Sequence, residues 1–331
     1  SYGLTGARAN RPPAVVAAAL SAAGIACLDN GFVGDNGVQA ANNFALSSYD
    51  SRFTLGEGHI SAQYHNFAGG SFLAVGYPST HFKPVGSYDR AVLTVYRSGN
   101  WGIDFTANDM DNGPKFGTSH LDVTPVGGFL AATFGLNSPG EFEGAMAGDA
   151  TKTAVRSLYV YNSAVPAIDT LVHAACGANS SDQAASSAGT STQNWSNLEA
   201  LKFDAPDLTI INLGLNNMNG NNPVANYRTD LQAIITAAKI SGDVLLLFPH
   251  PAGGNYNQNV AGYHAAAKQL AADNGVAFFS LYEYLGGAFT TSLGNRMFDG
   301  IVHPNAELYA EIGARITDAI KLMVINRGVF A

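Results

Sequence analysis

Residues 208–248 have the sequence LTIINLGLNNMNGNNPVANYRTDLQAIITAAKISGDVLLLF, which predicts a strand, a helix and a second strand. Leu208–Leu213 is a mainly apolar run, as expected for a strand that is buried on both faces of a sheet. Pro223 opens the helix, Gly242 closes it, and apolar residues recur between them at helical spacing. Val244–Phe248 is the second apolar run. Alternation of this kind predicts a parallel sheet covered by helices.

The same alternation occurs on both sides of this stretch. Further predicted elements are the helices Ala14–Leu20, Val260–Ala272 and one that begins at Pro304, and the strands Ile25–Leu28, Ile168–Ala174 and Val276–Leu281. We therefore expect an α/β fold, a doubly wound parallel sheet of the flavodoxin-like kind. It is expected to form one discontinuous domain from residues 1–50 and 164–331.

A stretch with a different residue pattern separates the two parts of that domain. Between residues 51 and 163, short alternating or β-branched segments are divided by Gly, Asn, Asp and Pro. These segments are Arg90–Tyr96, Trp101–Phe105, Ser119–Val123, Phe129–Phe134 and Ser157–Tyr161. Short strands with regular turn signals predict an inserted β-sandwich or jelly-roll module. Its aromatic residues, such as Tyr88 and Trp101, belong either to the sandwich core or to a surface that stacks on sugar rings.

Composition excludes two classes of partner. Only 13% of the 331 residues are charged, and 17 basic against 25 acidic residues give a net charge of −8. A nucleic-acid-binding protein needs a basic face, which this balance does not supply. No apolar run reaches the roughly 18 residues of a membrane helix. We therefore expect neither nucleic acid nor membrane as a partner. Separately, low charge with few lysines favours an extracellular or virion-associated protein.

Three short segments carry candidate chemistry at the carboxyl ends of predicted strands, where α/β sheets bind ligands. Asp299 and His303 precede the last helix and suit a general base oriented by a carboxylate, although a helix cap beside a surface histidine is the plainer alternative. Asn216 follows the strand at residues 208–213 and offers a neutral oxyanion donor, or simply a turn. Gly177 offers a backbone N–H after another strand, or again only a turn.

Taken together, these segments resemble the SGNH (GDSL-like) hydrolases. The resemblance covers residues 1–50 and 164–325 and is most marked in LEALKFDAPDLTIINLGLNN and FDGIVHPNAELYAEIGARI. It implies a serine esterase in which His303 is the base and Asp299 orients it. It also implies that the Gly177 N–H and the Asn216 side chain form the oxyanion hole. The resemblance implies no metal and no organic cofactor.

Two features depart from the family pattern. The family spaces its acid and base as D-x-x-H, whereas Asp299 and His303 are one residue further apart. The extra residue either bulges the loop harmlessly or spoils the Asp–His hydrogen bond. In addition, the family places its nucleophile in a Gly-Asp-Ser motif, and that motif does not occur in this sequence.

The first residues offer the candidate nucleophile. Ser1-Tyr2-Gly3 and the following Ala-rich helix resemble what comes after the nucleophile in the family. Ser1 is therefore the nucleophile itself, or else Ser1-Tyr2-Gly3 matches the tail of a G-D-S-x-[ST]-Y-G motif and the nucleophile lies just outside this chain. In both registers the first strand of the sheet is expected to come from a further N-terminal fragment. A third alternative is autoproteolysis that makes Ser1 an N-terminal nucleophile.

These observations predict an esterase that hydrolyses acyl esters, acetyl esters above all, on a polysaccharide or a small molecule. The polysaccharide is expected because related SGNH enzymes that act on polysaccharides carry β modules at the position of residues 51–163. The alternative is a non-catalytic glycan-binding or virion structural protein, such as a phage tail component, built on a decayed hydrolase fold. Low charge, abundant Gly, Asn and Ser, and the missing Gly-Asp-Ser motif all fit that alternative.

Overall fold

The fold is taken from a computed structural model of the 331-residue chain. It describes residues 12–28, 32–33, 52–54, 72–74, 80–96, 102–109, 117–122, 129–140, 142–148, 153–171, 173, 178–184 and 197–327. Two of the predicted site residues, Ser1 and Gly177, lie outside these ranges. The other three, Asn216, Asp299 and His303, lie within them.

The helices of the described residues cluster in the second half of the chain. In chain order they are α1 (Pro12–Ala22), α2 (Ser180–Gln183), α3 (Asn197–Asp204), α4 (Leu215–Asn219), α5 (Val224–Ala238), α6 (Val260–Asn274), α7 (Leu281–Tyr284), α8 (Thr291–Met297) and α9 (Ala306–Arg327). A short 3-10 helix occupies Gly254–Asn257. Within the part of the chain that the structure describes, no helix combines the length and the apolar character needed to cross a bilayer.

The strands fall into an antiparallel group, most of it in the middle of the chain, and a mainly parallel group. The first is β2 (Phe32–Val33), β3 (Phe53–Thr54), β4 (Phe72–Ala74), β5 (Thr80–Phe82), β6 (Tyr88–Tyr96), β7 (Gly102–Asp109), β8 (Gly117–Asp122), β9 (Phe129–Gly140), β10 (Phe142–Gly148) and β11 (Thr153–Tyr161). The second is β1 (Cys27–Leu28), β12 (Ile168–Asp169), β13 (Leu208–Ile211), β14 (Asp243–Phe248), β15 (Ala277–Ser280), and the antiparallel pair β16 (Phe298–Asp299) and β17 (His303–Pro304).

A parallel sheet in the order β13-β14-β15 organises the second half of the chain. Helices α5 and α6 make the crossovers between its strands, as parallel neighbours require. Successive residues of β14 face opposite sides of the sheet. Val244, Leu246 and Phe248 join the core formed with α5 and α6, while Leu245 and Leu247 are buried on the other face. The predicted α/β fold class is therefore confirmed. The strand buried on both faces is β14, whereas β13, for which the sequence predicted such burial, is mostly half-buried.

The middle of the chain is built from antiparallel strands. They form one sheet in the order β3-β5-β10-β7-β8 and another in the order β2-β11-β6-β9, with β4 also paired to β11. Tyr88 begins β6, is buried, and donates a hydrogen bond to the carbonyl of Val85, so it belongs to the core rather than to a sugar-stacking surface. The packing of the two sheets as a sandwich stays a prediction.

The described residues divide into two compact units. One comprises residues 178–308, and the other comprises residues 12–173 and 309–327. The second unit contains a short parallel pair in which Cys27 of β1 faces Ile168 of β12. Within the first unit, the described strands leave β13 paired with β14 alone. The predicted domain boundaries, and the first strand expected from a further N-terminal fragment, stay predictions.

Two helices begin at residues capped by an Asn side chain. The last helix begins at Ala306 and not at the predicted Pro304, because the side chain of Asn305 accepts a hydrogen bond from the N–H of Leu308 and caps the helix. The short helix α2 begins at Ser180. Asn179 accepts the helix N–H groups, and Asp182 returns a bond to the Asn179 N–H, which completes a capping box.

Candidate active site

The Asp299–His303 pair lies on a β-hairpin that accommodates the extra residue. Asp299 in β16 and His303 in β17 are direct antiparallel partners. Side chains that face each other across such a pair have Cβ atoms about 4.5–5.5 Å apart on the same face. The three intervening residues form the turn, and Gly300 enters it with φ +80°, a conformation that favours glycine. The D-x-x-x-H spacing therefore leaves Asp299 and His303 directly opposite each other across the hairpin.

Burial and charge act on His303 in opposite directions. His303 is half-buried, whereas Asp299 is exposed. Burial lowers the pKa of His303 below its usual range, and the negative charge of Asp299 works against that shift. A histidine with a lowered pKa stays neutral to lower pH, and the neutral imidazole is the form that accepts a proton. The pair therefore has the electrostatic character of a general base with an orienting carboxylate.

The turn of this hairpin is anchored by the loop that follows β14. The N–H of Gly253 donates to the carbonyl of Ile301 at 2.8 Å. A Cβ atom at Gly253 would lie 3.0 Å from Ile301 Cβ and 3.2 Å from the ring of Phe289, so only glycine fits without displacing them. The ring of Phe298 packs at 5.3 Å from that of Phe289. The hairpin is thus fixed from behind by backbone and aromatic contacts.

A second histidine, His250, lies beneath the hairpin. It follows β14, is 2% exposed, and packs its ring 5.1 Å from that of Phe298. Its Nδ1 is 3.0 Å from the carbonyl oxygen of Pro251, which can only accept, so Nδ1 carries the hydrogen. Burial lowers the pKa of His250 from 6.5 to about 4, and His303 is one of the groups whose charge acts in the same direction. His250 is therefore neutral in the folded protein at ordinary pH.

We expect His250 to make folding stability depend on pH. Because its folded pKa is depressed, its contribution is complete above about pH 6.5 and is lost as the pH falls toward 4. A shift of this size corresponds to about 3 kcal/mol. Urea unfolding of the wild type and of His250→Phe between pH 4 and pH 8 should give a flatter pH dependence in the variant. The interpretation is wrong if the two proteins lose stability in parallel as the pH falls.

Asn216 lies in the first turn of the short helix α4, which directly follows the turn after β13. The turn starts at Gly214, whose φ of +138° favours glycine. The Tyr227 hydroxyl donates to the carbonyl of Leu213 at 3.1 Å, and the single hydrogen of the Tyr263 hydroxyl is shared between the carbonyl of Asn217 at 3.2 Å and the closer carbonyl of Asn222. Burial raises the pKa of both tyrosines, so their hydroxyls keep the hydrogens that these bonds need. The turn is therefore held in place on both sides of Asn216.

The side chain of Asn216 is oriented by the segment that follows Gly177. Its Nδ2 donates to the carbonyl oxygen of Ala178 at 2.7 Å. This bond identifies which side-chain atom is the nitrogen. A side-chain amide has two N–H groups, so one remains to stabilise a developing oxyanion. Ala178 is buried directly after Gly177, and the sequence-predicted oxyanion residues thus belong to adjoining segments, although Gly177 is itself outside the described residues.

One segment borders both halves of the candidate site. The 3-10 helix Gly254–Asn257 packs against α4, which carries Asn216. The same segment starts beside Gly253, whose N–H holds the Ile301 turn between Asp299 and His303. Upstream, Pro249 lies 3.4 Å from where a Cβ of Gly214 would stand. Residues 249–257 therefore connect the Asn216 turn to the Asp299–His303 hairpin within one compact unit.

A different Ser–His–Glu cluster does not have the character of a catalytic site. His264 Nε2 is 3.2 Å from Ser280 Oγ and 3.5 Å from Glu283 Oε1. Ser280 is only 5% exposed, and its hydroxyl accepts the N–H of Glu283 as the cap of α7. The ring of His264 packs against Phe248 at 4.9 Å. The cluster stabilises the junction of β14, α6 and α7, and its hydroxyl is not accessible to a substrate.

Sequence reasoning missed several residues that the structure places around the candidate site: Ser180, Asn217, Asp230 and His250. His250 could have been found from the sequence, because it follows the carboxyl end of an apolar strand just as Asn216 does. The other three gave no such signal, because the contacts between them join residues 37 and 50 positions apart.

Among the described residues, no group of three or more His, Cys, Asp or Glu is placed to hold a metal ion.

A family model describes the same part of the chain. The model of the GDSL-like lipase/acylhydrolase family matches residues 145–311, just over half of the sequence. That range contains Gly177, Asn216, Asp299 and His303, and it does not include Ser1. The chain belongs to the GDSL-like lipase/acylhydrolase family. The SGNH resemblance is thereby confirmed, and the chain is placed among the acyl hydrolases.

Solved structures of esterases are similar at low identity. A family two carbohydrate esterase from Clostridium thermocellum is 10% identical, with a TM-score of 0.36 over 76% of this chain and 93% of that one. An acetylxylan esterase from Geobacillus stearothermophilus is 17% identical, with a TM-score of 0.35 over 45% and 70%. A psychrotrophic esterase from Pseudoalteromonas sp. is 18% identical, with a TM-score of 0.35 over 48% and 80%. All three scores lie below 0.5, so the family match alone carries the assignment.

A search of the curated proteins finds no match. For this GDSL-like hydrolase, the roles of individual residues therefore depend on the geometry described above. Three of the predicted site residues have a described position: Asp299 and His303 face each other, and Asn216 is oriented by Ala178. The roles of Ser1 and Gly177 stay predictions.

Proposed function

We propose that this GDSL-like hydrolase is a serine esterase that removes acyl groups, acetyl groups in particular, from a polysaccharide. The observation that carries the proposal is the hairpin that sets Asp299 directly opposite His303, on the unit that also carries Asn216. A carboxylate beside a half-buried neutral imidazole suits the activation of a hydroxyl nucleophile. An amide donor fixed on a rigid turn suits the stabilisation of an oxyanion.

In the proposed reaction, Ser1 is the nucleophile. His303 takes the proton of the serine hydroxyl as its oxygen attacks the ester carbonyl, and Asp299 stabilises the imidazolium that forms. The carbonyl oxygen becomes an oxyanion and accepts hydrogen bonds from Asn216 Nδ2, the Gly177 N–H and the N–H of the nucleophile. His303 then protonates the leaving alcohol. Water, activated by the same histidine, hydrolyses the acyl-enzyme and releases the acid and the free serine.

The substrate class is the finer part of the proposal. It is supported by the resemblance to polysaccharide-active SGNH enzymes with a β module at residues 51–163, and the antiparallel strands β3–β11 lie there. Acetylated xylan serves as the test polymer, and p-nitrophenyl acetate and octanoate serve as the small esters. We expect acetate release from the polymer and a preference for the acetyl ester over the octanoyl ester. Faster hydrolysis of the octanoyl ester, with no acetate release, would contradict the proposed substrate class.

The serine mechanism is tested with a fluorophosphonate, which labels an activated serine covalently. We expect labelling of the wild type, parallel loss of p-nitrophenyl acetate hydrolysis, and a mass increase on the peptide that contains Ser1. His303→Ala should not be labelled, since its serine lacks a base. A label on another residue would move the nucleophile away from Ser1. A folded protein that neither reacts nor hydrolyses the ester would overturn the esterase proposal in favour of a non-catalytic glycan-binding role.

A further inference from the structure

A buried hydrogen-bond network joins three elements next to the candidate oxyanion site. Ser180 at the start of α2 is fully buried, and Asn217 in α4 is 1% exposed. The Ser180 N–H donates to Asn217 Oδ1 at 3.0 Å, and Asn217 Nδ2 donates to Ser180 Oγ at 2.8 Å. Ser180 Oγ donates to Asp230 Oδ2 of α5 at 2.7 Å. The network therefore links α2, α4 and α5 through one side chain.

The direction of each bond in this network is determined by the donors available. Ser180 has a single hydroxyl hydrogen, and the carboxylate of Asp230 can only accept, so the hydrogen goes to Asp230. The lone pairs of the same hydroxyl then accept from Asn217. Because the carboxylate polarises the hydroxyl, the bond from Asn217 is strengthened as well. Removing the hydroxyl would leave a buried amide donor without its acceptor, which is costly.

This network lies close along the chain to both proposed oxyanion contacts, one residue from Asn216 and three residues from Gly177. Asn217 is the neighbour of Asn216, and Ser180 follows the Ala178-Asn179 segment that comes directly after Gly177. The bond from Asn216 Nδ2 to the Ala178 carbonyl runs beside the two bonds that join Ser180 and Asn217. Three hydrogen bonds therefore clamp the two turns together. One of the three bonds is made by Asn216 itself, and the other two are made by its neighbour Asn217.

We propose that Ser180, with Asp230 behind it, is a positioning residue that sets the geometry of the oxyanion hole through Asn217. The role rests on the proposed function, since it concerns the donors of that reaction. Ser180 does not contact the substrate in this scheme. It keeps the turn after Gly177 at a constant distance from Asn216, and a displacement of about 1 Å in such a site can cost on the order of 100-fold in rate.

The first test compares Ser180→Ala with Ser181→Ala, a matched serine whose hydroxyl makes an exposed bond to Asn179. For p-nitrophenyl acetate we expect Ser180→Ala to lower kcat between about 10-fold and 100-fold with KM nearly unchanged. We expect Ser181→Ala to stay within about twofold of the wild type. Equal kcat values for the two variants would overturn the inference. A wild-type rate no higher than that of His303→Ala would instead overturn the proposed function, and this role with it.

The second test separates positioning from a general loss of stability. If Ser180 acts through the placement of Asn216, the double variant Ser180→Ala/Asn216→Ala should be little slower than Asn216→Ala alone. Additive losses would contradict the role. If Ser180→Ala does not fold, Asp230 offers a less buried site. Asp230→Asn keeps an acceptor oxygen, so its kcat should stay close to that of the wild type. Asp230→Ala removes the acceptor, so its kcat should fall. Equal losses of kcat in these two variants would overturn the inference.

Discussion

Replacement of His303 with alanine is expected to lower kcat/KM for p-nitrophenyl acetate by roughly 10⁴-fold or more, the scale seen when a triad histidine is removed. The reason lies in the hairpin, where His303 faces Asp299 and burial keeps its imidazole neutral. Without that base, the serine hydroxyl stays protonated and is a weak nucleophile. The rate is measured under pseudo-first-order conditions, and thermal unfolding confirms that the variant is folded.

A matched control distinguishes His303 from the other Ser–His–Glu cluster. His264→Gln removes the imidazole beside Ser280 and Glu283 and should leave kcat/KM within a few-fold of the wild type. If His264→Gln abolishes hydrolysis and His303→Ala does not, the site has been assigned to the wrong histidine. Unchanged rates in both variants would mean that hydrolysis does not depend on either imidazole.

The pH profile gives a further check on His303 with a defined sign. Activity requires the neutral imidazole, so kcat/KM should fall on the acid side with an apparent pKa below the usual value for histidine. Asp299→Asn removes the charge that opposes the effect of burial. The acid limb of this variant should therefore move to still lower pH, while its maximal rate falls. A shift of the limb to higher pH would show that Asp299 does not act on His303 in this way.

Replacement of Asn216 with alanine is expected to lower kcat by about 10²–10³-fold, as the loss of one oxyanion donor does. The amide is held by the carbonyl of Ala178 and lies on a turn that the hydroxyls of Tyr227 and Tyr263 fix on either side. Because the donor is placed before the reaction starts, its contribution appears mainly in the transition state. KM should therefore change little, and steady-state kinetics with p-nitrophenyl acetate separate the two constants.

Asn219→Ala is the matched control for Asn216→Ala. Asn219 lies on the same short helix, α4, and is exposed, so its removal tests the general effect of an Asn-to-Ala change there. We expect its kcat to stay within about twofold of the wild type. A similar kcat for the two variants would remove Asn216 from the oxyanion hole. Asn216→Asp should be at least as slow as Asn216→Ala, since a carboxylate repels the oxyanion.

The parallel sheet was predictable because its signals are local. Val244–Phe248 is apolar without interruption and Leu208–Leu213 is mainly apolar, and short apolar runs of this kind favour a strand in the interior of a sheet. Pro223 directly precedes the intervening helix and lacks only the N–H that a helix start does not need, whereas the helix ends at Ala238, before Gly242. The order of these elements along the chain then makes a parallel sheet the expected arrangement. The ends of the strands were predicted less well, because β13 ends at Ile211 and not at the predicted Leu213.

The site was only partly accessible from the sequence. Asn216, Asp299 and His303 could be named because each follows or precedes an element with a strong pattern. Whether D-x-x-x-H brings the acid and base together depends on the backbone of the turn, and Gly300 with its positive φ allows the hairpin that does so. Spacing alone left both outcomes open.

The contacts that hold the site have a different origin. Ser180 meets Asp230 across 50 residues, and Gly253 holds Ile301 across 48. Periodicity and capping report on neighbours within a few positions, whereas these distances follow from how α5, α6 and the sheet pack. The linear sequence thus specified the elements, the family and the chemistry-bearing residues. Tertiary packing specified which of those residues face each other, which are neutral through burial, and which turns are clamped together.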